Sequence, residues 1–566
     1  MSKHGARGLV GGARWSKGEP AMIYTSPYPP IDAEFAALPL LVSRAANVTP
    51  GQPALVDAPS GAGVTYATLA ARIGRVAAGL AERGFSPGDV LALRAPNIPA
   101  WAGVALGAMA AGGAVTGIGP LATEREAAVQ LADAGASVLV TVPSLIASSG
   151  AAAAATGVRE LVTIGEPAAP GTAEPALPAT PIGELLAGDA AAPDVALGAG
   201  RVAMLPYSSG TTGLPKGVML THANLTAAAR QLGCGLALTP GDRFLALAPF
   251  AHVMGFVVSL CAPLAAGATV VTMPRYELHA FLAAIERHRV TVLAVPPPVF
   301  AALASDPAAD RYDLSTLQMI VSGGAPLGPQ LQQAVAARFP GATVGQGYGL
   351  TETTAAIPVP SRGGMVPGSV GRLAPGTEAR LVDPGTGRDV GQGEPGELWA
   401  RGPQVMAGYL GRPAATAEVL GTDGWLRTGD LARADAEGNI FIVGRLKELI
   451  KVNAFQVAPA EIEALLTRHP QVADAAVIPR PDESSGEIPV AVVVPRGALE
   501  PDELIGWVAE RVAPHKRIRA IRLVSEIPRT AAGKILRREL IEADRGPAGR
   551  PGQMSRPPAA PASGRR

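Results

Sequence analysis

The stretch "YSSGTTGLPKGVMLTH", residues 207–222, gathers Ser208, Ser209, Thr211, Thr212 and three glycines around Lys216. Its spacing bears on the fold, because a Walker A loop here would mean a P-loop nucleotidase. Counting from Gly210, that pattern requires glycine where Pro215 stands and Ser or Thr where Gly217 stands, so the match fails. The chemistry still suits a polyphosphate: Gly210, Gly213 and Gly217 permit tight turns, exposed N–H groups can cradle oxygens, and Lys216 adds a point charge. Clusters of Gly, Ser, Thr and Pro also make ordinary turns, and this stretch alone leaves both readings open.

Outward from this loop, apolar runs alternate with Ala/Leu-rich segments from about Leu40 to Val443. "VLALRAP", "SVLVTVP", "TVLAVPP" and "MIVSGG" read as buried strands, and "EREAAVQLADAG" and "PQLQQAVAARF" as helices. That order predicts α/β layering with substantial parallel sheet, with ligands collecting at loops after the strands. Residues 379–402 instead show short alternating strands with turn signals, a small β-rich subdomain. After "GNIFIVGRLKELIK" the pattern changes to a small α+β unit, with a boundary near Gly444. The uncharged segment 101–121 is long enough to span a bilayer, but it is rich in Ala and Gly and interrupted by Gly112, Gly113, Gly117 and Pro120, so a buried helix running into a strand is expected. The expected divisions are a disordered extension over 1–25, or an over-extended start ahead of Met22, a large domain over 26–443, a mobile domain over 444–543, and a disordered Pro/Gly/Ala/Arg-rich tail over 544–566.

A net charge of +1 over 566 residues leaves no electrostatic footprint for nucleic acid or a membrane surface. The two cysteines, Cys234 and Cys261, support neither a disulfide framework nor a structural zinc site, and a cytoplasmic enzyme fits this composition. Lysine is scarce: Lys3, Lys17, Lys216, Lys447, Lys451, Lys516 and Lys534 are seven of the 48 basic residues. A chain so biased to arginine keeps lysine where a compact charge serves better than a guanidinium. Lys216, Lys447, Lys451 and Lys534 each lie in a turn-bounded motif; chance retention accounts for the other three.

Five stretches together, "YSSGTTGLPKG", "GQGYGLTETT", "GWLRTGDLA", "GRLKELIKVNAFQVAPAEIE" and "PRTAAGKILRREL", resemble the adenylate-forming superfamily of acyl-CoA synthetases, adenylation domains and luciferases. "SPYPPI", "APFAHVMGF" and "FQVAPAEIE" look most like its 4-coumarate:CoA ligase branch, and the likeness runs from about Ser26 to Ala543. It implies ATP- and Mg²⁺-dependent activation of a carboxylate as its acyl-adenylate, followed by transfer to CoA. Ser208, Ser209, Gly210, Thr211, Thr212 and Lys216 would then bind ATP phosphates, with Gly347, Tyr348 and Thr351 beside the nucleotide. Glu352 would hold Mg²⁺, a hard cation suited to oxygen ligands. Asp430 and Arg445 would bind ribose, and Lys534 would reach the carboxylate and α-phosphate. Lys447 would be the hinge, and Lys451 and Gln456 would act from the mobile domain. The resemblance places His252, Gly323, Gly324, Ala325, Ala355 and Ala356 around the acyl group, although a lone His on an apolar segment is more often a satisfied core residue.

The chain departs from that branch in two places. Asn453-Ala454 replaces a typical Lys-Gly before the aromatic-Gln-Val, at residues that help receive CoA. Thr353, Thr354, Ala355 and Ala356 replace Ala-Gly-Pro-Val after the metal-binding Glu. No acid occupies 251–252, where amino-acid adenylation domains keep an aspartate, which disfavours an α-amino acid. The implied substrate is an aryl (cinnamate- or benzoate-like) or medium-chain acid. The alternative acceptors are an amine, a carrier-protein thiol, or nitrite activated for diazo formation.

Overall fold

The computed structural model describes residues 9–10, 13–15, 22–31, 36–165, 175–188, 191–208, 215–452, 455–482, 485–530 and 533–545. Two α/β layers form the bulk of the large domain. In one, the strands run in the order Thr343–Gln346, Met319–Ser322, Val292–Val295, Arg243–Ala246, Thr269–Thr272 and Pro53–Asp57, all parallel, before Gly63–Thr65 closes the edge antiparallel. In the other, Glu160–Thr163, Ala136–Thr141, Val90–Arg94, Ala114–Gly117 and Val202–Met204 are parallel neighbours, and Lys216–Thr221 joins antiparallel. The expected parallel layering is present. Its central strands Val90–Arg94, Ala114–Gly117, Thr269–Thr272, Val292–Val295 and Met319–Ser322 are buried along their whole length, as strands covered on both faces must be.

Local chemistry explains the elements. The helix Glu124–Ala134 starts on a capping box between Thr123 and Glu126 and ends on Gly135, whose φ of 63° an L side chain would resist. The helix Pro99–Ala110 is apolar on every side and is buried rather than membrane-spanning; it continues to the strand Ala114–Gly117. A Cβ on Gly107 would fall 2.5 Å from Val76 Cβ, so glycine there sets how closely Pro99–Ala110 approaches Tyr66–Glu82. Among the described residues no helix is long and apolar enough to cross a membrane.

The β-rich unit is an antiparallel sheet in the order Met22–Thr25, Glu378–Val382, Gly396–Arg401, Leu426–Ala434 and Ile440–Arg445, with Leu9–Val10 and Ala13–Trp15 added beside Met22–Thr25. Within the segment read as a disordered extension, Met22–Thr25 pairs into this sheet: "MIYT" alternates, and Met22 and Tyr24 enter its core, while residues 1–8, 11–12 and 16–21 lie outside the described residues. The start of the mobile unit shifts too, because Ile440–Arg445 remains paired with the large domain and the next sheet begins at Ile450–Val452. That last unit packs Pro459–Leu466, Pro501–Ala509 and Arg537–Arg545 against Phe455–Val457, Ile450–Val452, Gly486–Pro495, Val472–Asp482 and Ala520–Leu523. Its last helix reaches Arg545, and Asp544 pairs with Arg480 at 2.7 Å, so order extends two residues into the segment read as tail. Residues 546–566 lie outside the described residues.

Candidate active site

The phosphate-loop motif sits on a hairpin. Tyr207–Ser208 pairs with Lys216–Thr221, Tyr207 opposite Gly217 and Ser208 opposite Lys216, which brings the two ends of the loop together. Ser209, Gly210, Thr211 and Thr212 lie outside the described residues. The base of the hairpin is tied down: the Tyr207 hydroxyl donates to Asp133 at 2.7 Å, and Arg412 meets the same carboxylate at 2.8 Å. Gly217 lies against the Tyr207 ring, 3.2 Å from where a Cβ would stand. The helix His222–Gly235 follows directly, started by a Thr221/Asn224 capping box.

Glu352 is brought to this hairpin from 144 residues away. Its Oε1 accepts from the Ser208 hydroxyl at 3.0 Å and from the Tyr409 hydroxyl at 2.9 Å. Its backbone carbonyl accepts from Met406 N–H at 2.9 Å. Lys216 Nζ sits 4.9 Å from the centre of the Tyr409 ring, a cation–π distance. Tyr409 arrives on the short strand Gly408–Tyr409, which pairs with Lys216–Thr221, Val218 opposite Tyr409. Burial, reinforced by Glu352, raises the Tyr409 phenol and keeps it a donor. Sequence reading missed this tyrosine, since a cross-strand partner 193 positions from Lys216 leaves no local pattern.

Thr351 and Glu352 lie on the single 3-10 turn Thr351–Thr353. Next, Thr354 and Ala355 both take left-handed conformations, φ 51° and 68°, which are costly for residues with side chains. They are held: the Thr354 hydroxyl donates to Gln404 O at 2.7 Å, and Gly349 runs so close that a Cβ would come 2.3 Å from Ala355 carbonyl carbon. Thr353, Thr354 and Ala356 are buried, while Ala355 is partly open.

Asp430 forms a second cluster. Register puts it opposite Arg445, whose Nε lies 3.0 Å from Oδ1, while the Tyr348 hydroxyl donates to Oδ2 at 2.6 Å. Burial raises the Asp430 carboxyl above its ordinary value, and Arg445 and Tyr348 only partly offset that. Gly347 and Tyr348 follow the strand Thr343–Gln346, while Gly323, Gly324 and Ala325 follow its neighbour Met319–Ser322, so both groups emerge at strand ends on one edge.

Lys534 faces the Asp430 cluster from the last domain. It follows Gly533, which has φ 81° and would carry a Cβ 3.4 Å from Pro298 Cδ in the large domain. Its ammonium is held below the usual lysine range chiefly by burial and next by Arg445, with Glu448 and Asp430 pulling the other way. Three residues on, Arg537 binds both Glu448, at 2.8 Å, and Glu463, through two nitrogens.

His252 is exposed. Desolvation holds its imidazole below its ordinary value. The π-helix Met254–Cys261 begins two residues on, and a Cβ on Gly323 would meet Met254 Cε at 2.9 Å. Two histidines of this domain are buried, His222 and His288, and the Nε2 of His288 is 3.0 Å from Ala58 O.

Lys447 and Lys451 do not share a helical turn: Lys447 is on the 3-10 turn Leu446–Glu448, Lys451 on the strand Ile450–Val452, and both are exposed. Gln456 is the register partner of Lys451. Asn453 and Ala454 lie outside the described residues.

A polyphosphate hairpin joined to a carboxylate, a buried Asp/Arg pair and a lysine delivered by a second domain together define a nucleotide-dependent acid-activating ligase. The chain belongs to the AMP-binding enzyme family, whose profile matches residues 42–410, with the C-terminal domain of that family matching 461–534. It is a 4-coumarate–CoA ligase-like, AMP-forming member of the acid:CoA ligases. It is 41% identical to 4-coumarate–CoA ligase 5 of Oryza sativa subsp. japonica, over 86% of this chain and 90% of that protein. Among solved structures it resembles ATP-bound MatB from Rhodopseudomonas palustris, at TM-score 0.81 and 29% identity, covering 90% of this chain and 99% of the other. It also resembles the amide bond synthetase McbA from Marinactinospora thermotolerans, at TM-score 0.78 and 30% identity, covering 89% and 99%.

Proposed function

We propose that this enzyme activates an aryl carboxylate of cinnamate or benzoate type, or a medium-chain acid, with ATP and passes the acyl group to CoA. The observation that carries the reading is the convergence of Ser208, Lys216 and Glu352 in one cluster and of Asp430, Arg445 and, from the last domain, Lys534 in another. In the first step a carboxylate oxygen attacks the α-phosphorus and pyrophosphate leaves; in the second, the thiol sulfur attacks the acyl carbon and AMP leaves. Both steps call on a protein for positioning and charge stabilisation.

In this reading Ser208, Ser209, Gly210, Thr211, Thr212 and Lys216 hold the departing phosphates. Gly347, Tyr348 and Thr351 border the nucleotide, Asp430 and Arg445 take the ribose hydroxyls, and Lys534 steadies charge as the carboxylate meets the α-phosphate. His252, Gly323, Gly324, Ala325, Ala355 and Ala356 shape the acyl pocket. Lys447 is the hinge that brings Lys451 and Gln456, paired across adjacent strands, to the adenylate for transfer.

The donor set fits Mg²⁺: a single carboxylate, Glu352, lies among hydroxyls, and Mg²⁺ is usually held by one or two carboxylates plus substrate phosphates rather than by an all-protein cage. When bound, Mg²⁺ neutralises phosphate charge. The free thiols Cys234 and Cys261 support a reducing, cytoplasmic setting.

A second reading keeps adenylation but gives the acyl group to an amine. It is favoured by the likeness to an amide bond synthetase and by Asn453-Ala454 at the expected thiol-receiving stretch. A panel of acids incubated with ATP, with and without CoA, separates the two. Thioester detected by mass spectrometry, with AMP release accelerated by CoA, is the expected result. AMP release indifferent to CoA and no thioester would refute CoA as acceptor, and no acid-dependent pyrophosphate release would refute the activity.

A further inference from the structure

We propose that Tyr409 is a positioning residue that orients the metal-binding carboxylate and braces the phosphate-loop lysine at once, a role that rests on the adenylation reading above. The geometry is asymmetric. Glu352 Oε1 is shared by two donors, Ser208 and Tyr409, while Oε2 accepts from none of the described residues. A carboxylate so held turns one defined oxygen outward, which shortens the search a cation must make for its ligand.

The two donors are not equivalent. Ser208 stands at the root of the phosphate loop, and an arriving phosphate oxygen competes for its hydroxyl. Tyr409 lies outside that loop, on a strand fixed by its pairing to Lys216–Thr221 and by the bond from its own N–H to the Thr416 hydroxyl at 2.9 Å. Gly408 is crowded against Thr416, where a Cβ would come within 2.9 Å of Cγ2, so the strand has little room to move. When the nucleotide enters, Tyr409 is the donor that stays on Glu352.

The ring does a second task. It lies beneath Lys216 Nζ at 4.9 Å, so it directs the ammonium along the same hairpin without neutralising it, as a carboxylate partner would. The hydroxyl and the ring face thus serve different ligands and can be separated by mutation.

Tyr409→Phe keeps the ring and removes the hydroxyl; Tyr409→Leu removes both. Mn²⁺ binding to the enzyme–ATP complex, followed by electron paramagnetic resonance, reads the first role, and ATP binding in EDTA by calorimetry reads the second. A hydrogen bond to a charged group contributes about 1.5–3 kcal/mol. Because phosphate competes for Ser208 in that complex, Tyr409→Phe should weaken Mn²⁺ at least about tenfold and leave metal-free ATP affinity unchanged, whereas Tyr409→Leu should also weaken metal-free ATP binding. Wild-type Mn²⁺ affinity in a folded Tyr409→Phe enzyme would overturn the inference while leaving the adenylation reading intact. Failure of the wild type to bind Mn²⁺ with ATP would overturn both.

Discussion

Replacing Lys534 by alanine should separate the two half-reactions. The ammonium is half-buried, and the lowering of its pKa by burial shows that bulk water does not fully solvate it. Two unit charges 4 Å apart interact by about 4 kcal/mol at an effective dielectric near 20, against about 1 kcal/mol in water. A developing negative charge at the α-phosphate would feel a value toward the upper end, and loss of one preorganised electrostatic partner typically costs about 10²–10³ in rate. Acid-dependent exchange of labelled pyrophosphate into ATP should fall by that factor in Lys534→Ala, while transfer from a supplied acyl-adenylate to CoA should fall less than about fivefold, because Lys451 and Gln456 would face that step. The pH profile supplies an independent check. A lysine held below its ordinary value loses its proton earlier, so the alkaline limb of exchange should fall below the usual lysine range of about 10.4. Glu448→Gln removes an anion that raises Lys534 and should move the limb lower still; Lys534→Arg, always charged, should abolish the limb at a reduced rate. An exchange rate within tenfold of wild type in Lys534→Ala would refute the argument.

Two predictions concern stability. Arg537→Met strips Glu448 and Glu463 of their shared guanidinium; breaking such a pair costs about 3–5 kcal/mol when fully buried, and the partial exposure of Glu448 brings the expectation to about 2–4 kcal/mol. Hydrogen exchange should rise in Pro459–Leu466 and Arg537–Arg545 and stay unchanged in the large domain's sheets; unchanged exchange in both helices would count against the clamp. Asp242 accepts from Arg362 at 3.0 and 2.8 Å, from Thr291 at 2.8 Å and from Thr239 N–H at 2.8 Å. Burial alone would raise its carboxyl, but these partners outweigh it and the pKa is lowered. The native state therefore binds fewer protons than the unfolded chain, and this stabilisation is present above the ordinary aspartate value of about 3.9 and lost as pH falls through the native one. Asp242→Asn should melt lower at neutral pH with a flatter loss of Tm below about pH 4; a parallel acid limb would refute the assignment.

The elements were legible wherever pattern and length agreed. "VLALRAP", "SVLVTVP", "TVLAVPP" and "MIVSGG" are all strands of the parallel layers, because buried strands write continuous apolar runs. The strand Met22–Thr25 was not legible because its four-residue alternation is short and follows a stretch rich in Gly and basic residues. For the site, local motifs delivered Ser208, Lys216, Glu352, Asp430, Arg445 and Lys534, and the structure brings these into two clusters. It could not deliver Tyr409 or the Arg537–Glu448 pair, since both depend on contacts across distant segments. The spacing of Lys447 and Lys451 allowed one helical turn, yet an intervening apolar pair, Leu449 and Ile450, is buried and turns the chain into a strand.

In the proposed two-step reaction, the same ion pairs would bound the stretch where the chain turns between the half-reactions. Arg445 is committed to the large domain, through its strand and through Asp430. Glu448 is committed to the last domain through Arg537, which also grips Glu463 and the Val477 carbonyl. Only Leu446 and Lys447 lie between these anchors; Leu446 packs against the cluster of Leu431, Leu449 and Ala458, and Lys447 is exposed. A rotation confined to those two residues would keep Arg537, Glu448 and Lys534 together as one body and would separate Lys534 from Asp430 and Arg445. The charge that serves adenylation would therefore leave the site with the domain, and Lys451 and Gln456, on the far side of the pivot, would travel with the same rigid unit. On the proposed function, two ion pairs with the exposed Lys447 between them would give the alternation of lysines a mechanical basis, which supports reading Lys447 as the hinge.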